Sequence, residues 1–126
     1  MLSIREKQSI GKWLYHISSL DQGPDNIKIS LIKNLLDIDR DLLDDGQSMR
    51  PHEAMDAISD LSEENKTVFC DMVLEVIKVS GSVKRRVITA TEHMLKRTKL
   101  WDNLSDYSPT LYAISVTARF QDSQGL

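Results

Sequence analysis

Apolar residues recur at intervals of three and four along most of this chain, and only a helix gathers that spacing onto one face. Ile10, Trp13, Leu14 and Ile17 form one such stripe and predict a helix over about 3–19, ended by Gly23-Pro24. Ile27, Leu31, Leu35, Ile38 and Leu42 form the next, widened by Ile32, Leu36 and Leu43. They predict one amphipathic helix over about 25–43, with Gly46 as its left-handed terminator. Pro51 suits a first helical position and opens a short helix over about 51–59 that buries Met55 and Ile58. Ser62 caps the following helix, and Glu63 and Glu64 sit in its first turn, where unpaired N–H groups favour negative charge. Val68, Phe69, Met72, Val73, Val76, Ile77 and Val79 cover over half of its circumference, so it is expected to be the central, most buried helix. Gly81 breaks the pattern, and a further helix over about 83–99 turns Val87, Ile88, Thr91, Met94 and Leu95 inward.

The last segment carries two patterns. Tyr112, Ile114, Val116, Ala118 and Phe120 alternate as in a strand, whereas Ser108-Pro109 reads as a helix start, so 108–120 fits either. A lone strand would find no partner in an otherwise helical chain, which favours the helix. The expected architecture is therefore all-α: a single compact bundle of about six to seven helices over 1–126, with segment 101–126 packing on the rest. Aromatics gather near both ends (Trp13, Trp101, Tyr107, Tyr112 and Phe120), and packing of the C-terminal segment on the first helix would bury several together.

With 126 residues and 40% of them hydrophobic, the chain has material for one core and needs no staples. The single cysteine, Cys70, cannot form an intrachain bridge, and its neighbours Val68, Phe69, Met72 and Val73 mark it as a small buried hydrophobe in a reducing compartment. Charges at Arg5, Glu6 and Lys7 interrupt the stretch that a secretory signal would keep apolar, and Glu75 and Lys78 interrupt the richest apolar run. A cytoplasmic location without a membrane span is expected.

A repeat underlies the helical pattern. The stretch 14–38 reads as helix, turn with Gly23, then a helix carrying Ile27, Leu31, Ile32 and Leu35. The stretch 74–96 echoes it with Gly81, Val83, Val87 and Ile88. Two helix pairs of this kind, each unable to bury its face alone, are expected to pack as pseudo-symmetric halves hinged at Gly23 and Gly81. The turn segments Ser19-Leu20-Asp21-Gln22-Gly23-Pro24-Asp25-Asn26-Ile27 and Leu74-Glu75-Val76-Ile77-Lys78-Val79-Ser80-Gly81-Ser82-Val83, with the approach Leu61-Ser62-Glu63-Glu64-Asn65-Lys66, carry a family likeness. Over about 10–100 the chain resembles the TerB-like family of tellurite-resistance domains. The resemblance implies an all-helical bundle of two related halves, a non-catalytic metal-binding or stress-response module, and acidic ligands at the two turns. In the first turn Asp21 and Asp25 match that pattern. In the second, Ser80 replaces the aspartate and Lys84, Arg85 and Arg86 stand where acidic residues are expected, so a divalent ion would be repelled there.

Taken by themselves, Asp21 and Asp25 flank a Gly-Pro turn of the kind that offers oxygen ligands to Ca²⁺ or Mg²⁺, but an oxygen site needs roughly six ligands. The alternative is that Asp21 ends one helix and Asp25 caps the next. His16, His52 and His93 are scattered without zinc spacing, and neither a phosphate-cradling glycine loop nor Gly-x-Ser-x-Gly occurs. No enzyme is expected.

Charge is more informative. Residues 37–64 hold ten carboxylates against two arginines, whereas 84–99 hold six cations, Lys84, Arg85, Arg86, Lys96, Arg97 and Lys99, against Glu92. These cations surround the side opposite Val87, Thr91 and Met94 and give helix 83–99 a charged interaction face. One use is nucleic-acid binding, as a helix-turn-helix delivers a cationic helix to phosphates. Against it stand a pI of 5.6 and the lack of Asn, Gln or Ser beside the cations to read bases. Another is pairing with an acidic surface of a protein partner, including residues 37–64 of a second copy in a homodimer. A plain solvated face is the third.

Overall fold

Short polar side chains decide where the helices begin. The Ser3 hydroxyl accepts from the Glu6 N–H (3.1 Å) while the Glu6 carboxylate accepts from the Ser3 N–H (2.7 Å), a reciprocal capping box. Asp25, Asp39, Ser62 and Ser108 each accept from a backbone N–H three residues on. The computed structural model describes residues 1–20, 25–79 and 85–123, with side chains as far as residue 117. Within them run α1 (Ile4–Ser19), α2 (Asn26–Leu36), α3 (Arg40–Gln47), α4 (Pro51–Ser59), α5 (Glu63–Val79) and α6 (Arg85–Arg97). A 3₁₀ turn (Trp101–Asn103), α7 (Leu104–Tyr107) and α8 (Pro109–Ser123) follow. No strand occurs among the described residues, and the fold is an all-α bundle.

The helix predicted over 25–43 is two helices. Asp37 takes a left-handed conformation (φ 54°), its N–H donates to the Asn34 carbonyl, and the Ile38 N–H donates to the Lys33 carbonyl, the pair of bonds that closes a Schellman end. Asp39 then caps α3. Aspartate tolerates the left-handed region better than most residues, so the chain turns here without a glycine. The break also rotates the buried face. Ile32, Leu36 and Leu43, read from the sequence as the margin, are buried, while Ile27 is 70% exposed. Gly46 is no terminator; it lies inside α3, against α1.

One apolar cluster joins the helices, including Leu14, Ile32, Leu43, Ile58, Phe69, Val87, Leu95 and Leu111. The helix α5 supplies more buried apolar side chains than any other, but α1 touches more neighbours: α2, α3, α4, α5 and α6 all meet it. α5 meets α2 as well as α1. Gly23 and Gly81, the expected hinges, lie outside the described residues.

The 108–120 segment is helical. Among the described residues α8 packs chiefly on α5, α6 and α7 rather than on α1, the expected place of the aromatic cluster. Trp13 instead meets the edge of His16 (5.6 Å), Lys96 lies over Trp101 (5.3 Å), and the Tyr107 hydroxyl donates to Glu63 (2.6 Å), tying α7 to the start of α5.

Candidate interaction groove

Three helices meet in a groove that no helix fills. Along α1, Trp13, His16 and Leu20 recur at three and four residues; from α4 come Pro51 and Met55; from α6 come Arg85, Arg86, Thr89, Ala90, His93 and Arg97. The space they line is about 740 Å³. A second lobe of about 370 Å³ shares Trp13, His16 and Pro51 and adds Lys12, Tyr15, Ser19 and Gln47. Trp13, Met55 and Ala90 make an apolar floor under a cationic rim. Among the described residues that line either lobe there is no carboxylate.

The geometry of α6 explains the rim. Arg86, Ala90, His93 and Arg97 stand at intervals of four, three and four, so they fall on one stripe about 16 Å long. Small Ala90 leaves a notch between the cations. Arg86, His93 and Arg97 are exposed, and among the described residues no ion pair holds Arg86 or Arg97. Four cations away from the groove pair with acidic side chains: Lys96 with Glu92 (3.0 Å), Arg40 with Asp44 (2.9 Å), Lys66 with Glu63 (3.2 Å) and Lys78 with Glu75 (3.8 Å). On the second lobe, Lys12 donates to the Gln47 carbonyl (3.1 Å) at the negative end of α3. The indole N–H of Trp13 is buried and has no acceptor among the described residues, a state that costs about 1–3 kcal/mol.

Only part of the charged face expected on helix 83–99 lines the groove. Arg85, Arg86 and Arg97 line the groove. Lys96 leans instead toward Glu92 and Trp101, and Lys99 lies beyond the helix with a left-handed backbone (φ 66°), where its N–H and that of Leu100 close a second Schellman end. Lys84 lies outside the described residues. So does Asp21, while the Asp25 carboxylate accepts from the Lys28 N–H (2.9 Å) as the cap of α2. No group of three or more potential metal-ligating side chains occurs among the described residues. Cys70 is fully buried, and desolvation pushes its thiol up to about 12, away from nucleophilic use.

Trp13, His16, Met55, Ala90 and His93 were not singled out as site residues from the sequence. A signal for them exists: Arg86 and Arg97 have no acidic residue three or four positions away, whereas Lys96 has Glu92. Searches of family models, curated proteins and solved structures find no match to this chain. No helix among the described residues is long and apolar enough to cross a membrane.

Proposed function

We propose that this chain is a non-catalytic helical interaction module, and that the groove between α1, α4 and α6 binds an acidic segment of a protein partner. The observation that carries this reading is an apolar floor bordered by Arg86 and Arg97, neither of which has an ion pair among the described residues. Arginine and tryptophan are the residues that contribute most where proteins meet, and apolar contact with a charged border is the usual anatomy of such a surface. Two features favour a protein over nucleic acid. The floor offers burial rather than phosphate contact, and neither Lys96, which pairs with Glu92, nor Lys99 lines the groove. A TerB-like identity, a stress-response role in the cytoplasm and a weak Ca²⁺ or Mg²⁺ site belong to the same proposal. Their support is the turn pattern around Asp21 and Asp25 and the reduced state implied by lone Cys70.

Trp13 reports on the groove directly. In a Trp101→Phe background its fluorescence is titrated with an unstructured Glu-rich peptide containing scattered Leu and Phe. Binding that weakens about tenfold or more in Arg86→Glu/Arg97→Glu is expected, because reversing two rim charges replaces attraction with repulsion. Equal affinity for the wild-type and reversed rims would remove the groove from consideration.

A further inference from the structure

The partner's conformation follows from what the groove lacks. Every wall is a helix, whose interior backbone groups already bond within that helix, so the groove offers side-chain donors and a few helix-end groups but no strand edge. An extended segment laid on the floor of Trp13, Met55 and Ala90 would bury peptide N–H and C=O groups without partners, at about 1–3 kcal/mol each. A helix brings its own backbone bonds. The groove is lined along α6 from Arg85 to Arg97, about 18 Å at about 1.5 Å per residue, which matches roughly three helical turns. Along that length Arg86 and Arg97, without ion pairs among the described residues, stand near the two ends, with His93 between and the Ala90 notch open.

From these features we infer that the groove's occupant is an acidic amphipathic helix of about three turns. Its bulky apolar side chains enter over Trp13, Met55 and Ala90, and its carboxylates flank them to meet Arg86 and Arg97. This rests on the groove reading above and adds the shape and charge pattern of the partner. It is charge complementarity that selects the acidic helix, because the described lining residues include four cations, Lys12, Arg85, Arg86 and Arg97, and no carboxylate. A carboxylate or side-chain carbonyl near the centre of such a helix would also give the Trp13 indole N–H an acceptor.

The experiment uses the full chain with Trp101→Phe and three peptides of identical length and net charge: one with Leu every third and fourth position among Glu and Ala, a scrambled version, and the first with a central proline. A short DNA duplex is the fourth probe. The patterned peptide should bind about tenfold or more tightly than the other two and gain helical circular dichroism on binding, and Arg86→Glu/Arg97→Glu should abolish that preference. Equal affinities that all fall with the charge reversal would overturn the helix inference and leave the groove standing. Affinities insensitive to the reversal, no binding by any peptide, or tighter binding of the duplex would overturn both.

Discussion

The two flanks of α1 are built on opposite principles. On one, α1 and α3 meet so closely that a methyl group at Gly46 would lie 2.6 Å from the Gln8 carbonyl oxygen, and one at Gly11 would lie 3.2 Å from Leu43 Cδ1. At Gly46 glycine is needed because backbone meets backbone, and at Gly11 it makes room for the Leu43 and Leu36 side chains. On the other, Trp13, His16 and Leu20 face α6 across the open groove, with Arg86 and Arg97 left without acidic partners among the described residues. The same helix thus spends its small residue on closure and its large ones on access. Natural proteins tend to fill and neutralise what only has to be stable, so an unfilled flank with unmatched charge is the side to read as functional.

That contrast breaks most visibly at Gly46. A valine there must push α3 away from the α1 backbone, and overpacking against main chain, which cannot rotate aside, is expected to cost about 3 kcal/mol. Alanine should cost less, about 1–2 kcal/mol, since its better helix propensity offsets part of the clash. Thermal unfolding checks both, at roughly 4 °C per kcal/mol for a domain of this size. A Gly46→Val protein as stable as wild type would mean the sealed flank is not sealed.

Each flank is also closed at one end by a residue that is not glycine in a left-handed conformation: Asp37 where the chain turns into α3, Lys99 where α6 ends. Glycine at either position relieves that strain, less what it adds to the freedom of the unfolded chain. Lys99→Gly should stabilise by about 1 kcal/mol and Asp37→Gly by about 0.5 kcal/mol, because aspartate already tolerates the left-handed region better than lysine. Denaturant unfolding would resolve the order, and a destabilised Lys99→Gly would show that the Lys99 side chain does more than hold a turn.

The groove should respond in the opposite sense to Gly46. Arg86→Glu/Arg97→Glu is expected to change stability by less than about 0.5 kcal/mol, since exposed arginines without ion pairs leave nothing broken behind them, while the acidic-peptide affinity falls. Unfolding and peptide titration on the same samples separate the two readouts. A large loss of stability would mean that these cations hold the bundle together.

Much of the bundle was legible because periodicity is a local property: the helices 51–59 and 62–79 stand where Pro51 and Ser62 place them. Asp37 was not legible, because the Leu35-Leu36-Asp37-Ile38 run keeps its helical spacing through the turn and carries no glycine. Gly46 was misread for the complementary reason, since a glycine after a helix pattern signals a terminator, and only the approach of α1 shows that it is an interior contact. The groove was half legible. Residues on α6 share a stripe by arithmetic, but which stripe faces α1 and α4 depends on long-range packing, so six cations on one helix read as one face when Lys96 and Lys99 lie apart from the groove.

The Tyr107–Glu63 bond sits on neither flank and therefore tests whether the flanks are independent of the rest. The Tyr107 phenol donates to Glu63 at 2.6 Å, which lowers the Glu63 carboxyl below its ordinary value, with Lys66 adding to the effect, and raises the phenol to about 12. For the carboxylate, a lowered folded value means that its contribution to stability is present above the unfolded value and disappears as pH falls through the lowered one. For the phenol, a raised folded value means a contribution present below its ordinary value and lost as pH rises through about 12. Tyr107 should thus give the absorbance of tyrosinate only as pH approaches about 12, and Tyr107→Phe should remove that late step. The same substitution should leave the acidic-peptide affinity unchanged, because α7 lines neither lobe of the groove. A shift in that affinity would mean that the α5–α7 tie reaches α6, and the open flank would then be under the control of the far side of the bundle.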